Sequence, residues 1–198
     1  AEKENLLEEQ VFIGNGSDEI FDLLVRAFCS PGKDNIVVTE PSYGMYEVMS
    51  KVNEVEVRKA ALGEEFELQS EKVLNEVDEH TKIIVICSPN NPSGNMMDPE
   101  KIRYILETFS GLVVLDEAYI EFAGQRGFVE ELSVYPSLLI LQTMSKAWGM
   151  AGVRIGKAFA DARILRVLNK IKYPYNVSRL NIRAAMKWLK KERAVKRR

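Results

Sequence analysis

The chain has 198 residues, enough for one sizeable α/β domain that buries roughly 70% of the surface its unfolded form exposes. Its 27 Lys and Arg nearly cancel 29 Asp and Glu, so no nucleic acid or other polyelectrolyte partner is implied. Cys29 and Cys87 stand far apart without a CxxC, and His80 is the sole histidine, which argues against a disulfide framework, a thiolate metal cluster, a His-based zinc site and a Ser-His-Asp triad, and no metal is expected.

No apolar stretch approaches the roughly 20 residues that span a bilayer. Residues 1–10 are largely polar and acidic, so no secretory leader is expected and the chain reads as soluble and cytoplasmic. Any chemistry must then come from Lys, Asp, Tyr and Asn, or from a cofactor.

Strand-like runs recur at 11–14, 35–40, 54–60, 82–88, 111–117, 137–143 and 156–160. Helical patterns lie between most of them, as where Ile20, Leu23, Leu24, Ala27 and Phe28 form one apolar stripe. Several runs are continuously apolar, as strands buried on both faces require. The pattern predicts a three-layer α/β/α sandwich around a mainly parallel seven-stranded sheet. A helix is expected over 161–171, stopped by Pro174. In the tail "KWLKKERAVKRR", seven Lys or Arg surround Glu192, which reads as a solvated basic helix and frayed tail; the alternative, a nucleic-acid tail, has no interleaved aromatic platform beyond Trp188.

In open α/β sheets ligands sit beyond the carboxyl ends of the strands, so the residues behind each run carry the interest. Behind the first is "GNGSDEIF", a glycine turn into a helix start, with Ser17 as N-cap and Asp18 in the first turn. Its free amides and the helix dipole suit a phosphate, although acidic residues there are also ordinary capping. Behind the second is "EPSYGMY", where Tyr43 either covers a planar ligand or, with Tyr46, closes the sheet edge. "SPNNPSG" follows the fourth, two prolines stiffening a loop that aims the uncharged donor Asn91.

Asp116 and Tyr119 follow the fifth run. A carboxylate there needs a cationic partner, either a core arginine or a ligand. Lys146 follows the sixth, with Thr143 and Ser145 before it and Arg154 after it. A lysine partly desolvated among Ala147, Trp148 and Met150 would be a usable nucleophile. The hydroxyls and guanidinium around it suit a phosphate. Amine, buried carboxylate, phenols, amide and phosphate donors together are the set that pyridoxal phosphate requires.

The motifs "GNGSDEIF", "PSYGMY", "SPNNPSG", "VVLDEAYIEF", "TMSKAWGMAGVRIG" and "YPYNV" occur in the order and spacing of the fold-type-I, aspartate-aminotransferase-like enzymes. Over residues 11 to 180 the chain most resembles the histidinol-phosphate aminotransferase branch of that family. The resemblance implies pyridoxal 5′-phosphate as cofactor, carried covalently by Lys146, which also shuttles the proton. It implies that Asp116 holds the ring nitrogen protonated, Tyr119 and Asn91 bond the ring's phenolic oxygen, and Tyr43 stacks on the ring. Ser17, Asp18, Thr143, Ser145 and Arg154 would hold the phosphate. The implied reaction moves an amino group from L-histidinol phosphate to 2-oxoglutarate, in a homodimer. An aminotransferase for another amino acid and a non-catalytic cofactor-binding module are the alternatives.

The family also carries an N-terminal arm and a small domain that find no counterpart in this sequence. The chain thus reads as a large domain alone, inactive if the missing parts are required. Its expected divisions are a remnant at 1–10, a cofactor domain at 11–175 and a basic helical segment at 176–198.

Overall fold

The structure is a computed structural model that describes residues 1 and 4–189. Each of the seven anticipated runs forms a strand: β1 Val11–Gly14, β2 Asn35–Glu40, β3 Glu56–Ala61, β4 Thr81–Cys87, β5 Leu112–Asp116, β6 Leu138–Thr143 and β7 Gly156–Ala160. They make one sheet in the order β1-β7-β6-β5-β4-β2-β3. The pairs from β3 through β6 are parallel, while β7 runs antiparallel to both β6 and β1. A loop without a crossover helix joins β6 to β7, so the chain must reverse there.

Strands β5 and β6 are buried at every position, and β4 at all but one, which explains their unbroken apolar sequences. Alternate side chains serve opposite faces. Ile83 and Val85 of β4 join one core with Ile20, Leu23 and Leu24 of α1 (Ser17–Phe28) and Leu165 and Leu168 of α5 (Ala162–Ile171). Ile84 and Ile86 face the other core, with Val73 of α3 (Ser70–Asn75) and Ile102 and Ile105 of α4 (Pro99–Thr108). The remaining helices are α2 (Met45–Val52) and α6 (Arg179–Leu189). Three layers result, as the sequence pattern requires.

Helix α5 ends at Ile171, as expected, and ahead of Pro174: Lys172 turns extended and its amide closes the last turn on the Leu168 carbonyl. One local expectation is corrected. Ser17 is not a cap, because α1 begins at Ser17 itself and Gly16 holds the cap position at φ 89°, with no side-chain cap bond. Helix α6 packs Ala185 with Met144, Trp148, Met150 and Ile155 in a third apolar cluster. Most of the basic run anticipated at the chain's end lies beyond Leu189, outside the described residues. Among the described residues no helix is long and apolar enough to cross a membrane, and no acidic, histidine or cysteine cluster could hold a metal ion.

Candidate active site

One sheet edge collects the reactive side chains because of strand direction. Strands β2, β4, β5 and β6 are parallel, so their carboxyl ends open on the same edge. Antiparallel β7 starts there, which brings in Arg154 just before it, and β1 ends there, which brings in Ser17. A cavity of about 210 Å³ lies at this edge. It is lined by Ser17, Asp18, Tyr43, Asn91, Asp116 and Tyr119, and by Thr143, Ser145, Lys146 and Arg154. All ten residues singled out from sequence therefore share one cavity.

Asp116 closes β5 and is 5% exposed. Burial pushes its carboxyl above the usual range, opposed by donors from Tyr46 and Ala118. The Tyr46 phenol donates to Oδ2 at 2.6 Å, and the Ala118 amide donates to Oδ1 at 3.0 Å. Among the described residues no arginine is bonded to it, so the core-arginine alternative is set aside. Glu117, the next residue, points to the other face by strand alternation and accepts from Phe128 N and Gln142 Nε2.

Lys146 departs from expectation: it is exposed rather than desolvated. The neighbours that suggested burial, Trp148 and Met150, turn away into the third apolar cluster. Its ammonium lies 5.2 Å from the centroid of the Tyr119 ring, so the amine and phenol named from sequence meet.

The phosphate-type donors line the same cavity. Arg154 takes a left-handed backbone, φ 54°, and its guanidinium lies against Gly16. Its Nη2 stands 3.7 Å from Asp18 Oδ2, and Asp18 accepts a 3.3 Å bond from the Tyr43 phenol. A Cβ on Gly156 would overlap the backbone of Gly16 and Ser17, so only glycine lets β7 approach this helix start. Thr143 Oγ1 donates to Ser145 Oγ at 3.0 Å and accepts from the Ser145 amide at 3.1 Å. The threonine hydroxyl thus shapes the loop that presents Ser145.

Sequence reasoning overlooked three contributors. Asn90, not Asn91, organises the proline-bracketed loop: its side chain donates to Pro41 O and Ser93 Oγ and accepts from Ser42 Oγ. Asn91 is left to line the cavity. Cys87 also lines it, its thiol pushed up to about 12 by burial. Tyr46 is fully buried on Asp116 rather than closing an edge. The apolar periodicity of α2 hid that role.

The family model for aminotransferases of class I and II matches residues 2–198. The chain belongs to that family. It is 55% identical, over 94% of its length, to a histidinol-phosphate aminotransferase of Parabacteroides distasonis, covering 54% of that protein. It is 54% identical to another from Cytophaga hutchinsonii, covering 93% of this chain and 53% of that one. The chain thus spans about half the length of these curated relatives. Among solved structures, the histidinol-phosphate aminotransferase of Clostridium acetobutylicum superposes with a TM-score of 0.89 at 28% identity, covering 99% of this chain and 59% of that one. That of Sinorhizobium meliloti, solved with pyridoxal-5′-phosphate, shares the fold at a TM-score of 0.86 and 24% identity, over 96% of this chain and 52% of that one.

The donor set of this aminotransferase cavity fits such a cofactor. The lining brings together a buried carboxylate, a guanidinium, a helix start and an exposed amine beside an aromatic ring.

Proposed function

We propose that this chain binds pyridoxal 5′-phosphate and serves as the cofactor domain of an aminotransferase that takes L-histidinol phosphate as amino donor and 2-oxoglutarate as acceptor. One observation carries the reading: Lys146, Asp116, Tyr119 and Arg154 line the same cavity. The relatives' names support the choice of amino donor. When bound, the cofactor supplies an aldehyde that takes up the donor's amino group and a ring that withdraws the electron pair left at its α-carbon.

The chain's own groups divide that work. Arg154 offers a charged planar fork to the phosphate, beside the Ser17 amide at the start of α1 and the Ser145 hydroxyl. Asp116 keeps a proton on the ring nitrogen, which ionic pairing in a buried site favours. Asn91 and Tyr119 would orient the ring through its phenolic oxygen, and Tyr43 would cover the ring. Lys146 Nζ would hold the cofactor at its aldehyde carbon, the carbonyl oxygen leaving as water, and would carry the proton from the donor's α-carbon. A homodimer accompanies this reading, supported by the exposed apolar residues Tyr173, Tyr175, Leu180 and Met186.

The test is spectroscopic. The cofactor is added and the absorption spectrum recorded before and after L-histidinol phosphate. The reading expects a cofactor band that converts on adding the donor. A bound cofactor whose band ignores every amino donor would instead make the chain a binding module.

A further inference from the structure

The Asp116 carboxylate is gripped from two elements. Its Oδ1 is held by the amide of Ala118, two residues along its own chain, and its Oδ2 by the phenol of Tyr46, 70 residues away on α2. Tyr46 has little freedom to swing. It is 4% exposed, and its ring packs 5.1 Å from Phe21 of α1 and 5.5 Å, edge to face, from Tyr43. The start of α2 therefore delivers the ring of Tyr43 to the cavity, and its first turn delivers a donor to the carboxylate.

We infer that Tyr46 is the positioning residue for Asp116, holding its carboxylate ionised and in one orientation toward the cavity. The inference rests on the role of Asp116 proposed above. A carboxyl surrounded by apolar side chains tends to keep its proton, and a neutral Asp116 could not hold a second proton on a ring nitrogen. A donor that bonds the charged form opposes this, and a hydrogen bond to a charged group is the strong kind. Burial raises the Asp116 carboxyl, and the Tyr46 bond works against that rise.

Other groups act on the same carboxyl. Asp18 on α1 raises it and Lys146 behind β6 lowers it, while Cys87 of β4, Tyr43 before α2 and Glu117 beside it are also coupled to it. Tyr119 shares its cavity. Among them, Tyr46 is the side chain in hydrogen-bond contact.

The experiment uses the cofactor-free chain with carbon-13-labelled aspartate, the Asp116 signal being the one lost in Asp116→Asn. Tyr46→Phe keeps the ring and removes the donor. The carboxyl midpoint should move up by about one pH unit, roughly a tenfold gain in proton affinity. A purely structural tyrosine would lower the melting temperature and leave that midpoint in place. If the Phe variant does not fold, 3-fluorotyrosine placed at position 46 provides a stronger donor at the same site, and the midpoint should fall. A midpoint that does not move with the donor overturns the inference. Because the titration is read without cofactor, its result is separate from whether the chain takes up pyridoxal phosphate.

Discussion

The guanidinium of Arg154 lies so close over Gly16 that a Cβ on that glycine would collide with it. Both residues take left-handed backbone angles, 54° and 89°, which places a charged fork beside the amide-rich start of α1. Arg154→Ala should therefore weaken cofactor affinity roughly ten- to a hundred-fold, the loss of one charged hydrogen-bonding group. Ser17→Ala should do less, since the backbone amides remain and the hydroxyl caps nothing. Arg154→Lys should recover only part, because a point charge does not replace a planar donor. Fluorescence titration of the three variants checks the order.

Gly156 tests the same region from the strand side. Its added methyl would meet the backbone of Gly16 and Ser17, which cannot rotate away like a side chain. Gly156→Ala should lower stability by about 1–3 kcal/mol and loosen cofactor binding together. Gly152 meets nothing within 4 Å and is the control, where Gly152→Ala should leave both unchanged. Urea unfolding and the same titration read the pair.

Asp116→Asn keeps the size of the side chain and removes its charge. Cofactor uptake should persist, because the phosphate donors and Lys146 are untouched. Conversion of the bound cofactor by an amino donor should fall by at least about a hundredfold, the scale of a lost general acid–base group. Single-turnover absorbance compares the two chains, and equal rates would remove Asp116 from the role given to it.

Glu117 gives a pH dependence that needs no cofactor. Burial pushes its carboxyl up to about 7, opposed by Gln142 and the Phe128 amide. Between the ordinary value of 4.5 and about 7 the folded chain binds more protons than the unfolded one. Stability therefore falls as pH rises through that window, by roughly 3 kcal/mol from this group. Asp116 is raised in the same direction, so its share persists in a Glu117 variant. Glu117→Gln should flatten the decline between pH 5 and 7.5 in urea midpoints, without abolishing it.

The strands were legible because burial on both faces leaves an unbroken apolar run, as "IIVIC" in β4 and "LVVLD" in β5 show. The lining of the candidate cavity was legible as a set, since parallel strands place their exits on one edge whatever the contacts are. What each side chain touches was not. Tyr46 and Asp116 lie 70 residues apart, and nothing local to α2 separates a core tyrosine from one aimed at a carboxylate. Ser17 looked like a cap because serine usually is one. The close approach of Gly156 lets Gly16 take the cap position, a long-range fact. Lys146 looked desolvated because its neighbours in sequence are apolar, but those neighbours pack on α6 while the lysine stays exposed.

The most direct test is chemical trapping at Lys146. The chain is loaded with pyridoxal 5′-phosphate, reduced with borohydride, digested and mapped by mass spectrometry. The account predicts the reduced cofactor on Lys146, and its loss in a Lys146→Ala chain that melts as the wild type does, since the exposed side chain contributes little to packing. Specific attachment to any other lysine, with Lys146 unmodified, would contradict it.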